Sequence, residues 1–177
     1  LDLYLIHAPN PEVPISETMQ AMDLLHAEGL IRNVGVSNFT VERLEKAQAC
    51  SRNKIVANQL HLNLIFREPE KKGLLDYCQK NDVMFIAWRP VQKGVLTEHG
   101  TPLLDEMAAK YNKTPAQIAI NWLISQPHVV TLSKMRHRHH LEENLGALGW
   151  QMAPEDIERL RKEFPGQKEA SDVVPLI

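Results

Sequence analysis

Short apolar runs that stop at polar residues recur five times along this chain. They occupy residues 1–6, 31–36, 55–57, 83–87 and 129–132. Amphipathic segments with helical spacing lie between them, a pattern typical of buried strands that alternate with helices. Because parallel neighbours need a long crossover connection, the alternation predicts an α/β fold with a parallel sheet.

Polar side chains follow each of the five runs. In chain order they are His7, then Ser37 and Asn38, then Asn58 and Gln59, then Trp88 and Arg89, then Ser133 and Lys134. In folds of this kind, ligands bind beyond the carboxyl ends of the strands. We therefore expect these residues to face one shared pocket.

Capping residues and glycines predict the bounds of the intervening helices. A helix capped by Ser16 should run to residue 28, with Gly29 at its C′ position. Thr40 and Thr114 occupy N-cap positions, and Pro115 suits the first helical position. Further helices are expected at 69–80, 102–111, 115–125, 139–148 and 154–163. Residues 89–100 read as a loop long enough to fold over a ligand, and 165–177 have no usable periodicity.

Composition restricts the function classes. The chain has 177 residues, 44% hydrophobic and 24% charged, ordinary values for a globular protein, and we expect residues 1–177 to form a single domain. A net charge of −2 gives no reason to expect nucleic acid or a membrane as partner. Cys50 and Cys78 lie in predicted helices without metal-ligand spacing, which favours reduced thiols and a cytoplasmic location.

The chain begins inside its first apolar run, without Met and without a polar lead-in. A strand placed there lacks its preceding neighbour, so we expect either that upstream sequence has been removed or that the fold is shortened. The sequence leaves both open. A five-stranded open sheet has two bare edges, whose unpaired backbone groups favour self-association.

Six segments together resemble the aldo-keto reductase family. They are DLYLIH at 2–7, GLIRNVGVSNF at 29–39, NQL at 58–60, AWRP at 87–90, TPAQIA at 114–119 and LEENL at 141–145. The resemblance covers nearly the whole chain and implies a partial (β/α)8 TIM barrel, consisting of the last five strands with their covering helices. It also implies an oxidoreductase that uses NADPH to reduce a small-molecule aldehyde or ketone.

The resemblance assigns roles to the strand-end residues. His7 is similar to the active-site histidine that orients the substrate carbonyl, a role that an imidazole can fill by hydrogen bonding. Ser37, Asn38 and Gln59 correspond to the trio that holds the nicotinamide carboxamide, to which such side chains can both donate and accept. Trp88 stands where the family usually has a tyrosine stacked on the nicotinamide ring, and an indole provides a larger surface of the same kind.

Five further positions are similar to residues that contact the rest of the dinucleotide. Arg89, Val91 and Lys93 lie in the loop that crosses the pyrophosphate in this family. Glu143 and Asn144 correspond to residues at the adenine edge.

The residues expected to contact the 2′-phosphate depart in part from the family pattern. Lys134 matches the lysine that contacts this phosphate, but Met135 replaces a frequent serine and His140 replaces a frequent arginine. Because a guanidinium binds phosphate through two hydrogen bonds, its loss leaves NAD possible beside the expected NADP. The histidine-rich run 137–140 has no second cluster of ligands, which favours a basic loop over a metal site.

The family's tyrosine proton donor, with its aspartate and lysine, comes from strands upstream of the one that ends at His7. Tyr4 lies inside a predicted strand, and Tyr77 and Tyr111 lie in predicted helices, so none matches that donor. The chain as given is therefore expected to be inactive in isolation.

Two other classes of function stay open. One is a non-catalytic, nicotinamide-nucleotide-binding regulatory or interaction module, which would keep the pocket without turnover. The other is an unrelated barrel such as a phosphosugar isomerase or an aldolase. The second is disfavoured because no glycine-rich phosphate loop follows the fifth run.

Overall fold

Five parallel strands form one open sheet in chain order. The computed structural model describes residues 1–176, with β1 (Tyr4–Ile6), β2 (Val34–Ser37), β3 (Ile55–His61), β4 (Met84–Trp88) and β5 (Val129–Leu132). Neighbouring strands pair in the order β1-β2-β3-β4-β5, every pair parallel. The predicted parallel sheet is confirmed. The strand bounds differ most at β3, which continues four residues past Ala57.

Helices occupy the connections between the strands and also follow β5. They are α1 (Ile15–Ala27), α2 (Val41–Ala49), α3 (Glu68–Lys71), α4 (Leu74–Lys80), α5 (Pro102–Tyr111), α6 (Pro115–Ile124), α7 (Arg138–Leu145) and α8 (Pro154–Glu163). The Thr40 hydroxyl accepts a hydrogen bond from the Arg43 N–H, and Thr114 forms a reciprocal capping box with Gln117. Both predicted threonine caps are confirmed.

Three predicted helices have different bounds in the structure. Ser16 is not an N-cap, because α1 begins one residue earlier, directly after Pro14, whose φ of −55° already suits helix entry. The helix expected at 69–80 is two helices, because Gly73 turns the chain with a left-handed φ of 70°. The helix expected at 139–148 ends at Leu145, where the chain turns through Gly146.

The two faces of the sheet have different surroundings. Along β4, the side chains of Phe85 and Ala87 are buried against the helices, whereas Met84, Ile86 and Trp88 are exposed or half-buried. Because side chains alternate along a strand, Met84, Ile86 and Trp88 share the opposite face, which is the more exposed of the two along β4. His61 and Trp88 are register partners on β3 and β4, at the carboxyl-terminal edge of the sheet.

Residues 165–176, here called the docked tail, pack against the segment that follows β3. Lys168 pairs by backbone hydrogen bonds with Ile65 (2.7 Å) and Arg67 (3.0 Å). The carboxylate of Glu68, which is buried, accepts hydrogen bonds from the N–H groups of Ser171 (2.8 Å) and Leu176 (2.9 Å). This segment, which has no periodicity in the sequence, is therefore held by specific polar contacts.

Candidate functional site

An open cleft of about 770 Å³ lies at the carboxyl ends of β4 and β5. Its walls come from the connection after β4 and from the segment that joins β5 to α7. Eight of the eleven residues predicted to bind a cofactor line this cleft. They are Trp88, Arg89, Val91, Lys93, Lys134, His140, Glu143 and Asn144. The fold thus brings together residues that lie up to 56 positions apart in the sequence.

Positive charge dominates the lining of this cleft. Besides Lys134, the exposed Arg136 lines it, although the sequence analysis did not single out that arginine. His140 lies beside Glu143, with 3.8 Å between its Nδ1 and the carboxylate Oε2. A concave surface with this charge suits an anionic ligand, above all one that carries phosphate groups.

The connection after β4 has an unusual backbone. Residues 89–100, predicted as a loop, contain a 3₁₀ segment at Gln92–Thr97. Arg89, Gln92 and Lys93 adopt φ values of 57°, 45° and 56°, in the left-handed region that non-glycine residues rarely occupy. Strained backbone of this kind clusters at ligand-binding segments, where the surrounding structure holds it in place.

Ser37, Asn38 and Gln59 do not line this cleft but form a second cluster beside His7. The Ser37 hydroxyl donates to the carbonyl of Gln59 (2.9 Å). The Asn38 side-chain N–H groups donate to Ser37 Oγ (3.1 Å) and to the carbonyl of His7 (3.2 Å). The three residues expected to hold an amide are therefore adjacent at the carboxyl ends of β2 and β3, with Gln59 taking part through its backbone carbonyl.

This second cluster fits a carboxamide. Asn38 Oδ1 is buried and has no hydrogen-bond partner within residues 1–176. An unpaired buried acceptor costs free energy that a ligand N–H would recover. The hydroxyl proton of Ser37 is already donated to Gln59, so Ser37 would act toward a ligand as an acceptor.

Trp88 belongs to a column of stacked rings that the sequence analysis missed. His61 lies between Trp88 and Phe66, with ring centroids 4.1 Å and 4.5 Å away and interplanar angles of 12° and 22°. The guanidinium carbon of Arg89 lies 5.2 Å from the centroid of the Trp88 ring. The available signal was strand alternation, since a third run extended by four residues, to position 61, puts His61 on the face of Gln59.

His61 is buried, and its surroundings change its protonation. Burial lowers the pKa of His61, because a charged imidazolium loses hydration there. The hydrogen bond to Gln92 and the charges of Asp172 and Glu68 oppose this decrease, whereas the charge of Arg89 reinforces it. The net direction is downward, which favours the neutral ring.

We expect the free energy of unfolding to decrease as pH falls through about 6.5, the ordinary imidazole value. Unfolded His61 takes up its proton there, while folded His61 takes it up only at lower pH, so the unfolded state binds more protons in that window. Urea unfolding at several values between about pH 5 and 8 measures this slope. His61→Gln should flatten it. Equal slopes for wild type and His61→Gln would contradict the assignment.

Comparison with known proteins identifies the family. The sequence pattern described as "Aldo/keto reductase family" matches residues 1–163. The chain belongs to the aldo-keto reductase family. It is 34% identical to an uncharacterized oxidoreductase of Bacillus subtilis and 33% identical to the glyoxal reductase of the same organism. Each alignment spans 160 residues, which is 90% of this aldo-keto reductase chain and 55% of the relative.

Solved aldo-keto reductases have the same fold over the matched region. A thermostable member in complex with the inhibitor epalrestat superposes with a TM-score of 0.87 and 42% identity, over 91% of this chain and 59% of that one. A Klebsiella pneumoniae member in complex with NADP and acetate gives a TM-score of 0.83 and 27% identity, over 100% of this chain and 63% of that one. The predicted partial TIM barrel is confirmed, and the chain spans about half to three-fifths of these relatives.

Two further findings concern membranes and metals. Among the helices of residues 1–176, none combines the length and the apolar surface needed to cross a lipid bilayer. Over the same residues, no three His, Cys, Asp or Glu side chains are arranged to hold a metal ion. The rings of His137, His139 and His140 do lie close together, with centroids 4.0 to 6.0 Å apart, and His137 and His140 line the cleft.

Proposed function

We propose that this chain is the nicotinamide-nucleotide-binding part of an NADPH-dependent oxidoreductase that reduces aldehydes or ketones. The observation that carries the proposal is the convergence of eight residues, selected by family resemblance, on one basic cleft. A relative that is similar over this whole chain was solved with NADP, which supports the choice of cofactor. NADPH, when bound, supplies the hydride.

The residues of the cleft and of the second cluster bind different parts of the cofactor. Lys134 and Arg136 offer cationic groups to the 2′-phosphate, and Arg89 and Lys93 offer them to the diphosphate. The ring of Trp88 provides a stacking surface for the nicotinamide. The second cluster holds the carboxamide through the buried Asn38 Oδ1 and its neighbours Ser37 and Gln59.

The preference for NADPH over NADH is proposed to depend on Lys134. Lys134→Ala should weaken NADPH binding by roughly 1.5–3 kcal/mol, the value of a hydrogen bond to a charged group, and NADH binding by less. Titration calorimetry with both cofactors measures the difference. Lys113→Ala removes a lysine that lies over the Trp150 ring, outside the cleft lining, and should change neither affinity. Equal losses for NADPH and NADH would mean that Lys134 does not recognise the 2′-phosphate.

Among the residues of this chain, the proposal assigns only His7 to the reacting carbonyl. Its side chain is exposed, and its backbone carbonyl is tied to Asn38. The three tyrosines lie elsewhere: Tyr4 is inside β1, Tyr77 is in α4, and the hydroxyl of Tyr111 bonds to Asp156. We therefore propose that residues 1–177 do not catalyse reduction in isolation, and that they form a single, incomplete barrel domain.

We also propose a cytoplasmic location, supported by the free thiols of Cys50 and Cys78. Burial raises the pKa of the Cys78 thiol to about 12, which makes it a poor nucleophile for disulfide exchange. These thiols agree with a reducing compartment.

The isolated chain should associate with itself through the edges of its sheet. Within residues 1–176, the outer edges of β1 and β5 have no partner strand, and Val130 and Leu132 on β5 are 42% and 45% exposed. Unpaired edges of this kind pair readily with another chain. Sedimentation velocity over a range of concentrations should show a dimer or larger species. A monomer at every concentration would contradict the prediction.

A further inference from the structure

We propose that His61 is a positioning residue, which fixes the plane of the Trp88 ring on which the nicotinamide stacks, and that the docked tail fixes His61 in turn. This inference rests on the proposed function and adds to it a residue that lies outside the cleft lining. The inference explains how the Trp88 ring is held in place, and it links the docked tail to cofactor binding.

The position of Trp88 depends on stacking. The other two indoles are tied by hydrogen bonds, from Trp122 Nε1 to Ile157 O (3.2 Å) and from Trp150 Nε1 to Gly146 O (3.0 Å). The Trp88 ring instead lies nearly parallel to the ring of His61, 4.1 Å away. Since His61 is 3% exposed and half-buried Trp88 lines the cleft, the histidine forms a fixed base for a ring that faces the ligand.

Hydrogen bonds to Asn63 determine the orientation of the Asn63 and Gln92 side-chain amides next to His61. Asn63 Oδ1 accepts from the N–H groups of Ile65 and Phe66, both at 2.9 Å. Its side-chain nitrogen therefore points the other way and donates to Gln92 Oε1 (2.9 Å) and to the carbonyl of Arg89 (2.9 Å). Gln92 consequently presents an oxygen, not a nitrogen, to the imidazole of His61.

The tautomer of His61 follows from this arrangement. Its Nε2 lies 2.9 Å from Gln92 Oε1 and must donate, so the proton of the neutral ring is on Nε2. Its Nδ1 then accepts from the hydroxyl of Ser171, 2.8 Å away. A bond at each ring nitrogen prevents the imidazole from rotating, and the stacked Trp88 ring is held with it.

The docked tail contacts the ring column at two consecutive residues. Ser171 binds His61, and Asp172 accepts a hydrogen bond from Arg89 Nη1 (3.2 Å), whose guanidinium lies over Trp88. Ser171 is itself held by its N–H bond to the buried carboxylate of Glu68. The chain of contacts from Glu68 through Ser171 to His61 therefore ends at the stacking surface.

Binding of two ligands by the 177-residue chain tests the inference. NADPH carries the nicotinamide, whereas adenosine 2′,5′-bisphosphate carries only the adenine and the 2′-phosphate. His61→Leu removes the base of the stack and should weaken NADPH binding roughly 3- to 10-fold, the range for loss of an aromatic stacking pair. Binding of the bisphosphate should change less than about twofold, because that ligand does not reach Trp88.

Three further variants refine this test. His61→Phe restores an aromatic plane and should recover most of the NADPH affinity. Ser171→Ala removes the bond to Nδ1, together with the acceptor for the N–H groups of Val173 (3.3 Å) and Val174 (3.2 Å), at a residue outside the cleft lining. It should weaken NADPH binding by a smaller factor, again without affecting the bisphosphate. Val173→Ala alters an exposed side chain of the same tail and should leave both affinities unchanged.

Equal weakening of both ligands by His61→Leu would mean a general structural role and would overturn the inference. If His61→Leu does not fold, Ser171→Ala provides the test instead. An NADPH-to-bisphosphate affinity ratio that is the same in Ser171→Ala as in the wild type would then overturn the inference. Binding of neither ligand by the wild-type chain would overturn the proposed function, and the inference with it. Selective loss of NADPH binding in His61→Leu or Ser171→Ala supports both.

Discussion

Purified residues 1–177 should leave NADPH unoxidised when a reactive aldehyde such as a nitrobenzaldehyde is added. Hydride transfer to a carbonyl builds negative charge on the oxygen, and a nearby proton donor must neutralise that charge as it forms. General acid assistance contributes typically about 10²- to 10⁴-fold to a rate. Tyr4 lies in β1, Tyr77 in α4, and the Tyr111 hydroxyl bonds to Asp156, so we expect none of them to donate a proton beside His7. The open sheet also exposes the reacting groups to water, which weakens their positioning.

Loss of NADPH absorbance over time measures this activity, with an intact aldo-keto reductase as the positive control. His7→Ala is the matched variant. Turnover by the wild-type chain that disappears in His7→Ala would contradict the prediction and would require a proton donor elsewhere among residues 1–177. Turnover that persists in His7→Ala would point to a contaminating reductase.

Glu68→Ala should lower the free energy of unfolding by about 2–4 kcal/mol, the cost of leaving buried polar partners unpaired. The carboxylate accepts from two backbone N–H groups of the docked tail and lies 3.2 Å from Lys72 Nζ. Without it, the tail must either bury unsatisfied donors or detach, and detachment exposes Leu176, which is 3% exposed when docked. Urea denaturation followed by circular dichroism measures the change.

The chain offers a matched control for Glu68. Glu169 pairs with Lys71 across 3.9 Å, but both side chains are largely exposed. Because exposed ion pairs contribute little, Glu169→Ala should change the free energy of unfolding by less than about 0.5 kcal/mol. Glu68→Gln keeps the shape of the side chain and one acceptor oxygen. Its loss of unfolding free energy should lie between those of Glu68→Ala and Glu169→Ala. Similar, small losses in all three variants would show that the tail is not held by Glu68.

Much of the fold could be predicted because buried strands and capped helices have local signatures. The apolar runs predicted the five strands and their order, and Thr114 with Pro115 predicted the start of α6. Gly29 takes a left-handed φ of 71° at the C′ position, as predicted, and the N–H of Leu30 bonds back to the carbonyl of Leu25. These features depend on residues close together in the chain, so one sequence is sufficient to reveal them.

The features that sequence reasoning missed depend on distant residues. Ser171 contacts His61 across 110 positions, and Ser171 and Leu176 reach Glu68 across 103 and 108. No periodicity signals such contacts, so the tail had no predicted place. The break at Gly73 was missed because a glycine inside an amphipathic pattern can also be tolerated within a helix. The cleft residues were accessible through family resemblance, but their division into two clusters needed the structure.

The most direct test of the central claim is a titration of the isotope-labelled chain with NADPH, followed through its backbone amide resonances. The account predicts saturable shifts concentrated in the segments 88–97 and 133–144, which contain most of the residues that line the cleft, and at Asn38 and its neighbours. Saturable shifts confined instead to the second cavity, of about 430 Å³ between Arg67 and Arg161, would contradict it. So would resonances that do not move at any NADPH concentration.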